Sequence, residues 1–302
     1  MPPKTTQPEE LHIGGLPKIR KPKGFHDERK TFIGASEIAA VCGVHPYATP
    51  FTVWCEKRGL TEPKDQTEPM YWGNRLESEV AKEFTRRTKI KLVKGKTCRH
   101  EKFPYFAATP DFELVGMNGL LECKIAGHFS GKNFGENGSD EVPQQYVMQC
   151  MWQIYICQKE FCYLAVLIEN REYRIFRITR DDELIDSMKR IAYKFWNENV
   201  LTGDPPPFTG HEPDVEALKR LYTFDNGGRT NTDEEHDEIA IDLGKVLQQK
   251  AEIDIECERL KNILKGFMGE ASILESSAGD FTWITNAKGV RTFRTPFKTG
   301  RA

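Results

Sequence analysis

The sequence predicts a mixed α/β fold, a central β-sheet with helices on its faces, and three observations predict it. Helix-period and strand-like stretches interleave between residues 31 and 199 in the order αβββαββα. Two strand-like runs flank a turn containing Asn118-Gly119, the signal of an antiparallel hairpin. The run Gly203-Asp204-Pro205-Pro206-Pro207 then breaks the chain and closes that region.

Length and composition set the bounds. The 302 residues suffice for one large domain or a domain with an appendage. A hydrophobic content of 38% with 29% charged residues is ordinary for a soluble globular chain. The longest apolar stretches, such as Phe161 to Ile168, fall far short of a bilayer span, and the N-terminus lacks a basic-then-apolar leader. No membrane contact is expected. The expected location is the cytoplasm, that of a host cell if the gene is carried by a phage. A net charge of −2 gives no global attraction to nucleic acid, and the basic runs Lys18 to Lys23 and Arg86 to Lys96 read equally well as solvated surface. The 8 cysteines form no CxxC pair, so reduced thiols are expected. Cys150, Cys157 and Cys162 have apolar neighbours and read as core residues rather than cluster ligands.

Element by element, residues 1–28 are rich in Pro, Lys and polar residues without an apolar period and read as a flexible arm. Ser36 to Cys42 places an N-cap residue before an apolar run ending at Gly43. A second helix spans Pro50 to Arg58, with Pro at its start and Gly59 after its end. After a polar loop at 61–69, Trp72 to Thr88 carries Leu76, Val80, Ala81 and Phe84 near helical spacing, with Glu77 on the same helix. Strands are expected at Ile90 to Lys96, Tyr105 to Val115 and Leu120 to Ile125. A glycine-rich loop follows from Gly127 to Ser139. Pro143 to Gln158 is helical through Val147, Met148, Met151, Trp152 and Tyr155. Phe161 to Ile168 and Tyr173 to Ile178 are strands about the turn Glu169-Asn170-Arg171, and Asp181 to Asn199 is helical.

This divides the chain into an arm at 1–28, a main domain at 29–202, a linker with a short helix at 203–232, and a C-terminal region at 233–302. In the last region, Ile239, Leu243, Val246, Leu247, Ile253, Leu260, Ile263 and Leu264 mark a long amphipathic helix compatible with a coiled-coil-like arm. A terminal hairpin about Asn286-Ala287-Lys288-Gly289 follows it.

The stretch that carries chemistry is Thr109-Pro110-Asp111-Phe112, then the hairpin, then Leu121-Glu122-Cys123-Lys124. Glu122 and Lys124 stand two apart on a strand and leave it on the same face. The hairpin folds Asp111 back beside Glu122. Leu120, Leu121, Cys123 and Ile125 make this strand apolar, and charges there demand partners or a metal. Two carboxylates and a main-chain carbonyl, that of Cys123, form the hard oxygen set that magnesium takes while keeping several waters. Such a centre with a lysine at its rim suits phosphodiester hydrolysis. The plain alternative is a turn aspartate and a surface cross-strand pattern.

This spacing resembles the PD-(D/E)xK nuclease signature. Phe32 to Ile38, Trp72 to Glu77, Ala108 to Asp111, Leu121 to Lys124 and Pro143 to Trp152 occur in the order of the lambda-exonuclease-like, YqaJ-type viral recombinase family. The resemblance covers residues 29–200 and implies a restriction-endonuclease-like core. It implies that Asp111 and Glu122 are metal ligands, that Glu77 is a further acidic residue at the metal, and that Lys124 is the catalytic lysine. It also implies that Gln149 positions water or phosphate. A polar stripe of Gln145, Gln149 and Gln153 explains that glutamine nearly as well. Arg29 and Ser36 fall where the family grips a 5′-terminal phosphate, and Thr109 falls where it has a hydroxyl residue. A simple N-cap would also account for Ser36.

The resemblance implies a magnesium-dependent exonuclease, with manganese as a substitute, that degrades one strand of linear duplex DNA 5′ to 3′. The resulting 3′ single strands would feed a phage-type recombination system. Double-stranded DNA ends, a single-strand annealing protein and a homo-oligomeric trimeric ring are the implied partners. The competing readings are a structure- or sequence-specific endonuclease with the same centre, or a non-catalytic DNA-binding scaffold. The chain has no GxxxxGK[ST] phosphate loop.

Overall fold

The computed structural model describes residues 28–61 and 67–297. The expected N-terminal arm, apart from Glu28, and the Lys18 to Lys23 run lie outside the described residues. The chain divides into two compact units, one ending at Thr223 and one beginning at Phe224.

The first unit is built on a mixed sheet flanked by helices, the class expected. Its helices begin with α1 (Ile38–Val41), α2 (Pro50–Lys57) and α3 (Glu68–Thr88). Strands β1 (Leu92–Lys94), β2 (Cys98–Arg99), β3 (Ala107–Ala108), β4 (Phe112–Leu114) and β5 (Gly119–Ala126) follow. Then come α4 (His128–Gly131), α5 (Gln144–Ile156), β6 (Phe161–Ile168), β7 (Glu172–Thr179) and α6 (Asp182–Lys194). A π-helical stretch, Phe195–Val200, and α7 (Glu212–Leu221) complete the unit. The sheet runs β1-β4-β5-β6-β7, with β5 and β6 parallel and every other pair antiparallel. The parallel pair needs a crossover, and the segment carrying α5 provides it.

Strand β5 alternates between two cores. Leu121, Cys123 and Ile125 pack with Val80, Ala81 and Phe84 of α3. Leu120 and Ala126 face the other way, with Met148, Met151, Trp152 and Ile154 of α5. Both faces are covered, as the near-continuous apolar composition of the strand requires.

Helix punctuation explains several boundaries. Thr49 forms a reciprocal capping box with Thr52 at the start of α2. Thr67 caps α3, which therefore starts at Glu68, inside the stretch expected to be loop. Asp181 accepts from the amides of Glu183 and Leu184 at the start of α6. Helix α7 docks on α2 through Asp214, which is buried and accepts from the Thr49 hydroxyl and, at 2.6 Å, from the Thr209 amide. The α6 register continues to Lys194 and then widens into the π stretch, whose carbonyls at Asn199 and Val200 accept from Trp54 and Arg58.

Three local expectations are corrected. The run expected as one strand from Tyr105 to Val115 is two short strands, because Pro110 has no amide to give to a ladder. The hairpin turn falls at Val115 to Asn118 with Gly116 at φ +78°, while Gly119 already lies in β5. Ser36 does not cap a helix: α1 begins at Ile38, and the Glu37 carboxylate takes the Gly34 amide at 2.7 Å, closing a turn in front of it.

Gly95 follows β1, and its amide donates to the Asp111 carbonyl at 3.0 Å. A Cβ there would lie 2.0 Å from the Pro110 carbonyl oxygen. Gly95→Ala should therefore displace the Pro110-Asp111 segment and cost about 1–3 kcal/mol. The check is the urea midpoint followed by tryptophan fluorescence, and an unchanged midpoint would refute the close approach.

The second unit consists of α8 (Glu234–Met268) and a three-stranded sheet of β8 (Ile273–Leu274), β9 (Phe281–Thr285) and β10 (Arg291–Arg294) in the order β10-β9-β8. Asp233 caps α8 by accepting from the His236 amide at 2.9 Å. No described helix is long and apolar enough to cross a membrane.

Candidate active site

Glu122 and Lys124 lie on the face of β5 that looks toward α5, and Glu122 is 3% exposed. Buried carboxylates need donors, and the chain supplies three. Lys124 Nζ lies 2.7 Å from Glu122 Oε1, Gln149 Nε2 donates to the same oxygen, and Gln153 Nε2 donates to Oε2 at 2.7 Å. Gln149 and Gln153 are one turn apart on α5, so one polar stripe grips both carboxylate oxygens. The Lys124 ammonium also sits 5.4 Å from the centre of the Tyr146 ring.

Asp111 arrives from the neighbouring strand. Residues Phe112 and Glu113 pair with Leu121 and Leu120, and one step beyond this ladder Asp111 Oδ2 accepts from the Cys123 amide at 2.8 Å. A side-chain oxygen thus takes a strand amide that lies just outside the ladder. Burial, then the charges of Glu122 and Glu77, push the Asp111 carboxyl up to about 8. Burial lowers Lys124, but the adjacent Glu122 outweighs it, so this lysine is held above its ordinary value as an ammonium.

Glu77, on α3, is within electrostatic reach of Asp111, and its carboxylate is paired with Lys94. Among the described residues, no group of three or more His, Cys, Asp or Glu side chains gathers into a ready cation site. The donor set nonetheless fits magnesium, which uses one or two carboxylates and leaves room for water and phosphate oxygens. The crowding that raises Asp111 is what a divalent cation would relieve. Thr109 lies two residues from Asp111, exposed, with its hydroxyl 2.9 Å from that of Thr97.

Arg29 and Ser36 form a second cluster. Arg29 Nη2 donates to Ser36 Oγ at 3.2 Å and to Glu37 Oε1 at 3.0 Å. Lys57 Nζ donates to Glu37 Oε2 and to the Arg29 carbonyl, both at 2.7 Å. Burial pushes the Lys57 ammonium down, and Glu37 opposes that shift. These residues, with Lys30 and Thr52, line a cleft of about 290 Å³. The clusters are joined through the backbone. Ile33 donates to the Tyr105 carbonyl and accepts from the Ala107 amide, and Ala107 opens the strand that runs into Thr109-Pro110-Asp111.

Glu37 and Lys57 carry no role in the sequence reading, where Gln153 figures only in a polar stripe. A signal existed for two of them: Glu37 and Gln153 are polar residues in largely apolar stretches, whereas Lys57 stands between Glu56 and Arg58 and nothing local marks its burial.

A family model for the YqaJ-like viral recombinase domain matches residues 24–160. The YqaJ protein of Bacillus subtilis (strain 168) is 32% identical over 250 residues, spanning 81% of this chain and 77% of that protein. An alkaline exonuclease from Laribacter hongkongensis aligns at TM-score 0.45 and 18% identity, over 66% of this chain and 96% of its own. A phage-related exonuclease from Haemophilus somnus 129PT aligns at TM-score 0.45 and 14% identity, over 60% and 100%.

Asp111→Asn keeps an acceptor for the Cys123 amide and removes the crowded charge. A carboxyl whose folded value is raised loses stability as pH climbs from its unfolded value of 3.8 toward about 8. In chelator the variant should melt above wild type, by a margin that widens across that window. Magnesium should raise the wild-type melting temperature and leave the variant unmoved. An equal or lower melting temperature for the variant in chelator at pH 8 would contradict the crowding.

Proposed function

We infer that this chain, which belongs to the YqaJ-like viral recombinase family, is a metal-dependent deoxyribonuclease that digests linear duplex DNA from its ends. The observation that carries this reading is the convergence of Asp111, Glu122 and Lys124 on one face of a buried sheet. Buried charges of that kind have little structural use, because an apolar pair in the same place would be at least as stable.

In this reading Asp111, Glu122 and the main-chain oxygen of Cys123 hold magnesium or manganese, with Glu77 joining once released from Lys94. Bound there, the cation supplies a Lewis acid at the scissile phosphate. Gln149 and Gln153 fix the Glu122 carboxylate, so that its geometry does not relax when substrate arrives. Lys124 keeps its proton at Nζ, orients the attacking water and offsets negative charge developing on the phosphoryl oxygens. A lysine held as an ammonium suits that role better than the role of a resting base.

Arg29 and Ser36 would bind the 5′-terminal phosphate, with Lys30 and Lys57 adding positive charge to the same cleft. Glu37 holds Arg29 from behind and is itself held by Lys57. End binding in this cleft supports 5′-to-3′ polarity, and digestion of one strand would leave 3′ single strands for an annealing protein. A trimeric ring about the duplex would keep substrate and enzyme together between steps.

Linear duplex labelled at each end, incubated with magnesium, tests the proposal. Wild type should release label from 5′ ends first, and Asp111→Ala and Lys124→Ala should each slow release by about 100-fold or more. Arg29→Ala should lower the preference for 5′-phosphate over 5′-hydroxyl ends by about 10-fold, the worth of one lost charge-assisted contact. Cleavage of closed circular duplex as fast as linear DNA would sink the exonuclease reading.

A further inference from the structure

Helix α8 carries a seven-residue repeat along its length. Ile239, Val246, Ile253, Leu260 and Phe267 stand seven apart, and Leu243, Lys250, Cys257 and Leu264 each follow one of them by four. Ile239, Leu243, Val246, Ile253 and Leu260 are each 49–63% exposed. A helix lying on a globular surface follows a 3.6-residue period, whereas a strict seven-residue repeat winds into a left-handed supercoil against a partner of the same period. The helix also holds Gly244 and Gly266 in its interior, where glycine disfavours the helix relative to alanine. Packing, not propensity, must sustain 35 residues of such a helix.

We propose that α8 forms a parallel, in-register coiled coil with the same helix of further copies of this chain. With the positions above at d and a, Glu256 is a g residue and Lys261 the e residue it meets on the next copy, an opposite-charge pair. The remaining flanking pairs are Glu235 with Ala240, Asp242 with Leu247 and Gln249 with Asp254, so no like charges meet. An antiparallel arrangement centred on the same layers sets Gln249 against Glu256, Asp242 against Ile263 and Asp254 against Leu247, and yields no opposite-charge pair. Lys250 is the single charged residue among the repeat positions from Ile239 to Phe267. A lone polar core position of that kind fixes register at some loss of stability.

The test uses Cys257, the one exposed cysteine among the described residues. In a parallel, in-register coil it faces Cys257 of the neighbouring copy across an a layer, and in the antiparallel arrangement it does not. The full chain, treated with copper phenanthroline in air, should give a covalent dimer as its main product on a non-reducing gel. Cys257→Ala should abolish the product, and Ile253→Asp in the adjacent layer should cut the yield at least 10-fold. Moving the thiol outward, as Gln248→Cys on the Cys257→Ala background, should give no dimer. The proposal is overturned by no dimer from wild type, by equal cross-linking from position 248, or by a yield that Ile253→Asp leaves intact. Cross-linking reads this helix alone, so neither assembly through the first unit nor loss of nuclease activity affects the outcome.

Discussion

Negative charge concentrated on an apolar sheet is the constraint around which the first unit is organised. Glu122 is buried on β5, and Asp111 and Glu77 add their fields to the same place. An unpartnered buried carboxylate costs several kcal/mol, so its surroundings have to be polar where the core would otherwise be apolar. Helix α5 meets this by setting Gln149 and Gln153 one turn apart in a helix that otherwise buries Met148, Met151 and Trp152. The break between β3 and β4 meets it again, because the β4–β5 ladder ends at Phe112–Leu121 and the Cys123 amide beyond it donates to Asp111. Asp111 stays only partly compensated. In the reading proposed above, a bound cation would supply the compensation that protein donors do not.

The second cluster obeys the same electrostatics with the sign reversed. Lys57 is a buried cation, and Glu37 is the anion that makes its burial tolerable. That carboxylate then has an oxygen left for Arg29, so one buried ion pair orients a guanidinium at the edge of the cleft. Arg29 bears on the other cluster because Ile33 is laddered to Tyr105 and Ala107, just upstream of Asp111. Small shifts in either cluster would be felt along a few residues of shared backbone. An end-binding group and a hydrolytic centre would need that registry to cut at a fixed distance from the end.

What the sequence disclosed depended on how local the cause was. Glu122 and Lys124 share a face because strands have period two, and that could be read directly. The α2 boundaries followed from Thr49, Pro50 and Gly59, all within the helix or beside it. Ser36 is a good cap in isolation, yet α1 starts at Ile38 because Glu37 takes the Gly34 amide and the Ser36 hydroxyl accepts from Arg29. Asn118-Gly119 is likewise a strong turn signal, yet the Phe112–Leu121 register moves the turn to Gly116. The partners of Glu122 on α5 are 27 and 31 residues away, so only the fold could pair them. A polar stripe every four residues marks such a helix without saying what it faces.

The second unit separates two kinds of apolar surface on one helix. At the C-terminal end of α8, Met268 is buried, and Arg291 ties the following turn by donating to the Gly269 and Ala271 carbonyls, both at 2.8 Å. The same arginine stacks 3.7 Å from the Trp283 ring centre, so the small sheet has its own reason to stay with this end of the helix. Upstream of Leu260 no described strand packs in this way, yet Ile239, Leu243, Val246 and Ile253 keep the seven-residue repeat while exposed. Salt bridges such as Asp242–Lys245 and Glu256–Arg259 hold the flanks of the helix but cover none of the stripe. Solvent-exposed intrahelical pairs of this kind contribute little to stability. They cannot substitute for burying a row of isoleucine, valine and leucine, so the stripe is built to be covered by something of its own period.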